Sequence, residues 1–370
     1  MHNISRQDGF TMPELLISTV ITLLVTGSAL ATFRNGLTIN DSAAQLSDAN
    51  QNLRAGTNQL IRDLMQAGRI IGPEGIPMPS GGSTAAFNRP GPTAMTFSLV
   101  IDADTTLNLP AISTGYQLGP TIKGSPTDIV TIMTVDEFMP TIQTPPVTGT
   151  PSPIEGTIAA NGRSVTLPAT SLWLTGDTVN DTPPIQVGDL VLFKNPKGMA
   201  LHTVTSKDST HIVFAKDDPN DWFKFNQFDS PQVPIILIKQ VQDTTTAYTQ
   251  QTSMFRALMI TYYVNSITGA PPRLTRVVNH FSPQALAGVV EDLDLTYDLV
   301  DGVNNPTNVV TLPYSVAGAS YNSNQIRKVN IHMGVRSEVL SKPSQDYVRN
   351  HITTAVAVRS LASVDRYVAE

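Results

Sequence analysis

The chain has no cysteine in its 370 residues. That excludes disulfides, thiolate nucleophiles and cysteine-based zinc or iron–sulfur sites. Charge is also scarce. Asp, Glu, Lys and Arg make up 15% of residues, against 41% hydrophobic. Such a balance is poor for a soluble enzyme and ordinary for an exported, β-rich protein heavy in Thr, Pro and Gly. The formal net charge is −6, so no general attraction to nucleic acid is expected and no nucleic-acid partner is predicted. The six histidines are scattered singly, with no HExxH or closely paired His motif. No Ser-His-Asp set, phosphate loop or dinucleotide fingerprint is visible. The expectation is no catalytic residue, no cofactor and no metal site.

One dense feature stands against this sparseness. Leu15 to Phe33 carries no charge, and about 20 apolar residues suffice to span a bilayer as a helix. Gly9-Phe10-Thr11-Met12-Pro13-Glu14 leads directly into it. A carboxylate such as Glu14 is costly in hydrocarbon and needs a partner. A plain secretory signal peptide is the alternative, and Ala29-Leu30-Ala31 fits its small-residue cleavage site loosely. Glu14, the Gly9-Phe10 junction and the helical pattern beyond weigh against it. Charge leaves orientation open: Arg6 and His2 precede the span, Asp8 partly offsets them, and Arg34 follows.

From Arg34 to about Ile70 there is no proline. Apolar or small residues recur at Leu46, Ala49, Leu53, Thr57, Leu60, Leu64 and Ala67, widened by Ile61, Met65 and Gly68. This spacing predicts an amphipathic helix, with Asp48, Gln51, Asn52, Arg54, Asn58, Gln59, Arg62 and Asp63 on its polar face. One continuous helix from Pro13 to about Ile70 would be about 85 Å long. Pro13 suits the first turn, where its missing N–H is no loss. Gly27, Gly36 and Gly56 read as weak points of about 1 kcal/mol each.

Gly72-Pro73-Glu74-Gly75 stops the helix. Short β-like segments then alternate with turns: Ala94–Ile101, Asp128–Thr134, Ser164–Pro168, Asp189–Phe193, His211–Ala215, Ile235–Gln240 and Arg256–Val264. Residues 140–186 are rich in Pro, Thr and Gly and read as loops around a small all-β unit. Within it, 185–193, 199–204 and 211–215 suggest a small sheet or barrel. The clearest alternation lies near the C-terminus. Leu293, Leu295, Tyr297 and Leu299 alternate with Asp292, Asp294, Thr296 and Asp298. The same holds for Val329 to Val335 and for Ile352 to Val358. Three such strands predict a sheet with one buried face, and the long helix is its natural cover. The expected fold class is α+β: a long N-terminal helix packed on an antiparallel sheet, with a large β-rich insertion.

The N-terminal segment resembles the type IV prepilin signal, in which a dedicated peptidase cuts after Gly and usually methylates the new terminus. Leu286-Ala287-Gly288-Val289-Val290-Glu291-Asp292-Leu293-Asp294-Leu295-Thr296-Tyr297-Asp298 looks like the V-E-x-L-x-x-x-Y strand of PilW-type minor pilins and of the PulJ/GspJ pseudopilins. Ile326–Ser337 and Arg349–Arg359 resemble the strands that follow it. Tyr262-Tyr263-Val264 with Pro272-Arg273-Leu274-Thr275-Arg276 looks like the family's Y-Y…L-x-R pair. The match is specific over residues 9–33, moderate over roughly 255–360, and loose over 75–250. Asp8 departs from the basic leaders typical of the family.

The resemblance implies a type IV pilin-like fold in these parts: 1–9 leader, 10–33 transmembrane half-helix, 34–72 amphipathic half-helix, 73–139 and 246–370 sheet head, and 140–245 insertion. It implies cleavage between Gly9 and Phe10. Glu14 would pair with the new amino terminus of a neighbour; the plainer alternative is a membrane-interface acid favoured at a helix N-terminus by the dipole. The expected role is a minor pilin in type IV pilus assembly, priming or tip formation. Its partners would be other minor and major pilins, prepilin peptidase and the inner membrane. The head would lie outside the cytoplasm and later join the pilus. A type II secretion pseudopilin and a membrane-anchored adhesive module using residues 75–250 are the alternatives.

Other residues read more plainly. Asp217-Asp218-Pro219-Asn220-Asp221 offers oxygen ligands for calcium but lacks the spacing and Gly of an EF-hand, and reads as a solvated turn. Asp292, Asp294 and Asp298 share a strand face; paired carboxylates serve glycosidic chemistry, yet a wet strand face gives the same pattern. Trp173 and Trp222-Phe223 could bind sugar or a surface, or pack in a core or rim.

Overall fold

The computed structural model describes residues 10–71, 75–78, 87–91, 95–97, 100–101, 107–144, 156–159, 162–196, 198–226, 252–267, 270–316, 318–340, 346–358 and 360–361. Helix α1 runs over Met12–Gln66 without a break. Its C-terminal part buries Ala49, Leu53, Gly56, Leu60 and Leu64, which recur every three or four residues, with Thr57 beside Gly56. The helix ends where Gly68 takes a positive φ of 75°, and the Gly68 N–H donates to Met133 O at 2.9 Å. A Cβ on Gly68 would crowd both Leu361 and Ala111, so the stop is also a packing contact.

Ten strands form one antiparallel sheet. They are β1 (Ile112–Gly115), β2 (Ile129–Val135), β3 (Ile142–Thr144), β4 (Leu190–Asn195), β5 (Gly198–Thr203), β6 (Thr252–Asn265), β7 (Arg273–Val278), β8 (Gln284–Leu299), β9 (Ile326–Arg336) and β10 (Arg349–Ala357). The path runs β5-β4-β6-β7-β8-β9-β10, and β2 and β3 also pair with β6, with β1 beyond β2. Strand β6 is the hub, because its 14 residues are long enough to serve four partners. Helix α1 lies on β8, β9 and β10. The expected alternation is present: Leu293, Leu295, Tyr297, Leu299, Val329, Ile331, Met333 and Val335 are all buried. The α+β class with a helix-covered antiparallel sheet is therefore what the structure has.

Three expectations need correction. First, Asp63 is not on the wet face of α1. It is buried, and its Oδ2 accepts from Tyr262 Oη at 2.6 Å and Arg276 Nε at 2.7 Å. A charged residue lands there because the sheet offers a guanidinium and a phenol in return. Met65, read into the apolar stripe, is instead 52% exposed. Second, Gly56 is a fitted position. A Cβ there would sit 2.8 Å from Ala287 Cβ and 3.0 Å from Leu274 Cδ2, so its absence lets helix and sheet approach closely.

Third, the described residues of 140–245, expected as a β-rich insertion or subdomain, are not all outside the main sheet. The hairpin β4–β5 belongs to the main sheet, with Leu190 opposite Ala257 and Phe193 opposite Met254. Leu190, Leu192 and Leu201 face the main core. Val191, Phe193 and Ala200 face a second core with Ile142, Trp173 and Phe214. A strand buried on both faces reads as an unbroken apolar run, so its sequence carried no sign of membership in the main sheet. Among the described residues of 140–245, the strands outside the main sheet form one four-stranded sheet of Thr157–Ile158, Ser164–Thr166, His211–Val213 and Ser206–Lys207. The three closely spaced strands expected to form one unit are thus split between two sheets. The expected strand Ile235–Gln240 lies outside the described residues.

Candidate functional site

The head of α1 is built from four consecutive residues. Thr11 is extended and serves as N-cap, and Pro13 lies in the first turn. The Thr11 N–H and Oγ1 donate to Glu14 Oε2 at 2.9 and 2.8 Å. The carboxylate thus folds back onto the helix start, as a residue at this position does in a capping box. Both bonds fall on Oε2. Phe10 is 86% exposed beside it. Gly9, the other residue expected at this site, lies outside the described residues with the rest of the leader.

From Leu15 to Phe33 the helix offers its apolar surface to no neighbour among the described residues. Leu15, Leu16, Ile17, Leu23, Leu24 and Leu30 are each more than half exposed. The segment is long and apolar enough to cross a membrane, and none of its most apolar window is buried. Five of the six hydroxyls between Leu15 and Phe33 bond to the helix's own carbonyls. Ser18 and Thr19 donate to Leu15 O at 3.0 Å, Thr22 to Ser18 O at 2.8 Å, Ser28 to Val25 O at 2.8 Å, and Thr32 to Ser28 O at 3.0 Å. Lipid offers no hydrogen bonds, so this local pairing is what a span requires.

Two charged clusters then fix the helix to the head and the sheet to itself. The Asp63–Tyr262–Arg276 cluster ties α1 to β6 and β7. Burial and the neighbouring carboxylate push the Tyr262 phenol upward. The second cluster is centred on Glu291 of β8. Lys123 Nζ, Arg336 Nε and Arg349 Nε reach its carboxylate at 2.8–2.9 Å. Burial opposes ionisation of Glu291, but Lys123 and Arg349 outweigh it and hold the carboxyl below its usual range. Sequence reading singled out neither cluster. The one signal for Glu291 was its place in the V-E-x-L pattern.

The remaining candidates separate. Asp218 accepts from Asn220 N at 2.8 Å, and Asp221 accepts from Phe225 N and Asn226 N at 3.1 and 2.9 Å. Their oxygens serve the turn. Among the described residues no group of three or more His, Asp or Glu is arranged to hold a metal. Asp292, Asp294 and Asp298 do share the face of β8 away from α1, but Asp298 is paired with Lys328 at 2.9 Å and Asp294 stands opposite His332. Trp173 is fully buried, its Nε1 donating to Pro140 O at 2.7 Å, so it is a core residue. Trp222 is 54% exposed and stacks on His280 at 6.1 Å.

These features define an α+β protein with one N-terminal helix whose first half is apolar and bare and whose second half is built into a β-rich head. No family model, curated protein or solved structure matches the chain.

Proposed function

We propose that this chain is a minor pilin of a type IV pilus, acting in assembly priming or at the tip. It is cut between Gly9 and Phe10, anchored by residues 10–33 and oriented with its head outside the cytoplasm. The observation that carries this reading is the division of one unbroken helix. A bare apolar half begins at a single carboxylate, and a fitted half is locked under a sheet. A signal peptide needs no such continuity, and an enzyme needs no such helix. The chemistry is one of assembly. Apolar half-helices of several subunits bundle in lipid, and Glu14 exchanges or supplements its Thr11 bonds with the amino terminus of a neighbour. An ion pair at that depth is strong because an unpaired carboxylate is so costly there.

The test is Glu14→Ala in the full chain. It should insert normally, since an apolar side chain is cheaper in hydrocarbon, yet be recovered in filaments or minor-subunit complexes at least tenfold less than wild type. Normal assembly of the variant would remove the role given to Glu14.

A further inference from the structure

Among the described residues the main sheet has four edge strands, and the chain treats them unequally. At β1, Arg89 Nη1 donates to Thr114 O at 3.1 Å. At β3, Gly156 N donates to Gln143 O at 3.1 Å. At β5, Asn226 brackets Thr203, accepting from its N–H at 3.0 Å and donating to its C=O at 2.7 Å. Unpaired edges invite pairing with other chains, and proteins blunt them in such ways.

Strand β10 has no such cover among the described residues. Its register fixes which groups are open. Val358 N donates to Arg327 O at 2.9 Å, and Ser337 N donates to Val348 O at 2.7 Å. Residues directly opposite in an antiparallel pair exchange both bonds at every second position. The even-numbered residues of β10 therefore bond to β9. The odd-numbered ones, Arg349 to Ala357, turn N–H and C=O outward. Only the His351 N–H is taken, by Asn350 Oδ1 at 2.9 Å. From His351 to Ala357 there is no proline and no Lys, Arg, Asp or Glu, and the pairing with β9 has no bulge. The outward side chains end in Thr353, Ala355 and Ala357, which leave the backbone accessible.

The direction of β10 narrows the occupant. Asn50 of α1 bonds Asn350 at the start of β10, and Gly68 meets Leu361 just beyond its end. Helix and strand thus run side by side in the same sense. Two copies joined edge to edge by a two-fold axis would pair antiparallel and aim their anchors in opposite directions. We infer that the open edge of β10 accepts a strand from a different membrane-anchored subunit, so that the two sheets become continuous beside the bundled helices. This rests on the assembly reading above. Strand addition by main-chain bonds is an established recognition mode.

The test compares amide exchange in the detergent-solubilised single chain and in assemblies isolated from the membrane, read residue by residue by mass spectrometry. The N–H groups of Thr353, Ala355 and Ala357 should slow at least tenfold on assembly, with Thr354 and Val356 unchanged. Ala355→Pro removes only an outward N–H, which an edge strand tolerates. It should keep the head's melting temperature within about 2 °C, a shift within the range of a neutral surface change, and cut recovery in assemblies at least tenfold. Thr354→Pro, which removes an inward N–H, should instead lower the melting temperature. Equal exchange in both states, or undiminished assembly of Ala355→Pro while wild type assembles, overturns the edge proposal alone. Slow exchange already in the single chain shows that the chain covers its own edge and also overturns it. A wild-type chain that never assembles defeats this inference and the assembly reading together.

Discussion

The two halves of α1 obey different rules although no residue between them breaks the helix. From Leu15 to Phe33 every side chain is exposed and the hydroxyl bonds stay within the helix itself, so apolar character all round the helix is the whole signal. After Ala49 the contacts are specific: Gly56 under Ala287, Leu60 and Leu64 in the core, Asp63 on Arg276. The first half asks only for a solvent. The second asks for particular neighbours. Equivalent substitutions in the two halves should therefore give unlike results.

The largest contrast is expected for charge. Asp63→Ala leaves the largely buried Arg276 without its carboxylate and Tyr262 without its acceptor. It should destabilise the head by about 3–5 kcal/mol, the usual cost of breaking a buried pair. Asp41→Ala, on an exposed position of the same helix, should change stability by less than about 0.5 kcal/mol. Chemical denaturation of the full chain in detergent measures both. Leu60→Ala should cost about 2–5 kcal/mol through the cavity it leaves. Leu24→Ala should leave the head's unfolding midpoint in place. If both leucine variants lowered the midpoint alike, the division of the helix would be wrong.

Acid should separate the halves next. The Glu291 carboxyl is held below its usual range, so its contribution is full above about pH 4.5 and is lost as pH falls through the folded value. His202 is fully buried, which drives its pKa down to about 3 although Asn226 opposes this. The unfolded chain would take up that proton near pH 6.5. Stability should therefore fall by up to about 1.4 kcal/mol per pH unit below about pH 6, and His202→Leu should flatten that slope. The bare half holds no buried titratable side chain. In detergent at pH 3 its helical circular dichroism should persist after the head has lost its near-ultraviolet signal.

The smallest contrast is between two glycines. Gly56→Ala forces a methyl against Ala287 and Leu274 and should cost about 1–3 kcal/mol. Gly36 has nothing within 4 Å of an added Cβ, so Gly36→Ala should be neutral or should stabilise the helix by up to about 1 kcal/mol. Thermal melting and helicity of the two variants check this.

The same contrast explains what the sequence could tell. The bare span and the three C-terminal strands were readable because each faces a single environment, and period alone reports that. The register of α1 on the sheet was readable from Ala49, Leu53, Leu60 and Leu64. Asp63 and Gly56 misled because their partners, Arg276 and Ala287, lie more than two hundred residues away. A local pattern carries no such information. The hairpin β4–β5 misled for another reason: Leu190-Val191-Leu192-Phe193 is buried on both faces and has no alternation to read. At the helix head, Thr11 and Glu14 were legible as a capping pair in spacing, but sequence reading gave Glu14 only an intermolecular partner and missed the bonds it makes within its own chain.

The most direct measurement is the N-terminus of the mature chain. Full-length protein isolated from the membrane of its producing cell, cleaved and analysed by mass spectrometry, should begin at Phe10, with its amino group methylated. Glu14 and the entire bare half of α1 would then remain attached to the head. A terminus near Thr32 would mean that the apolar run is discarded as a signal peptide. The bare half would then have no place in the working protein, and the assembly account would fall.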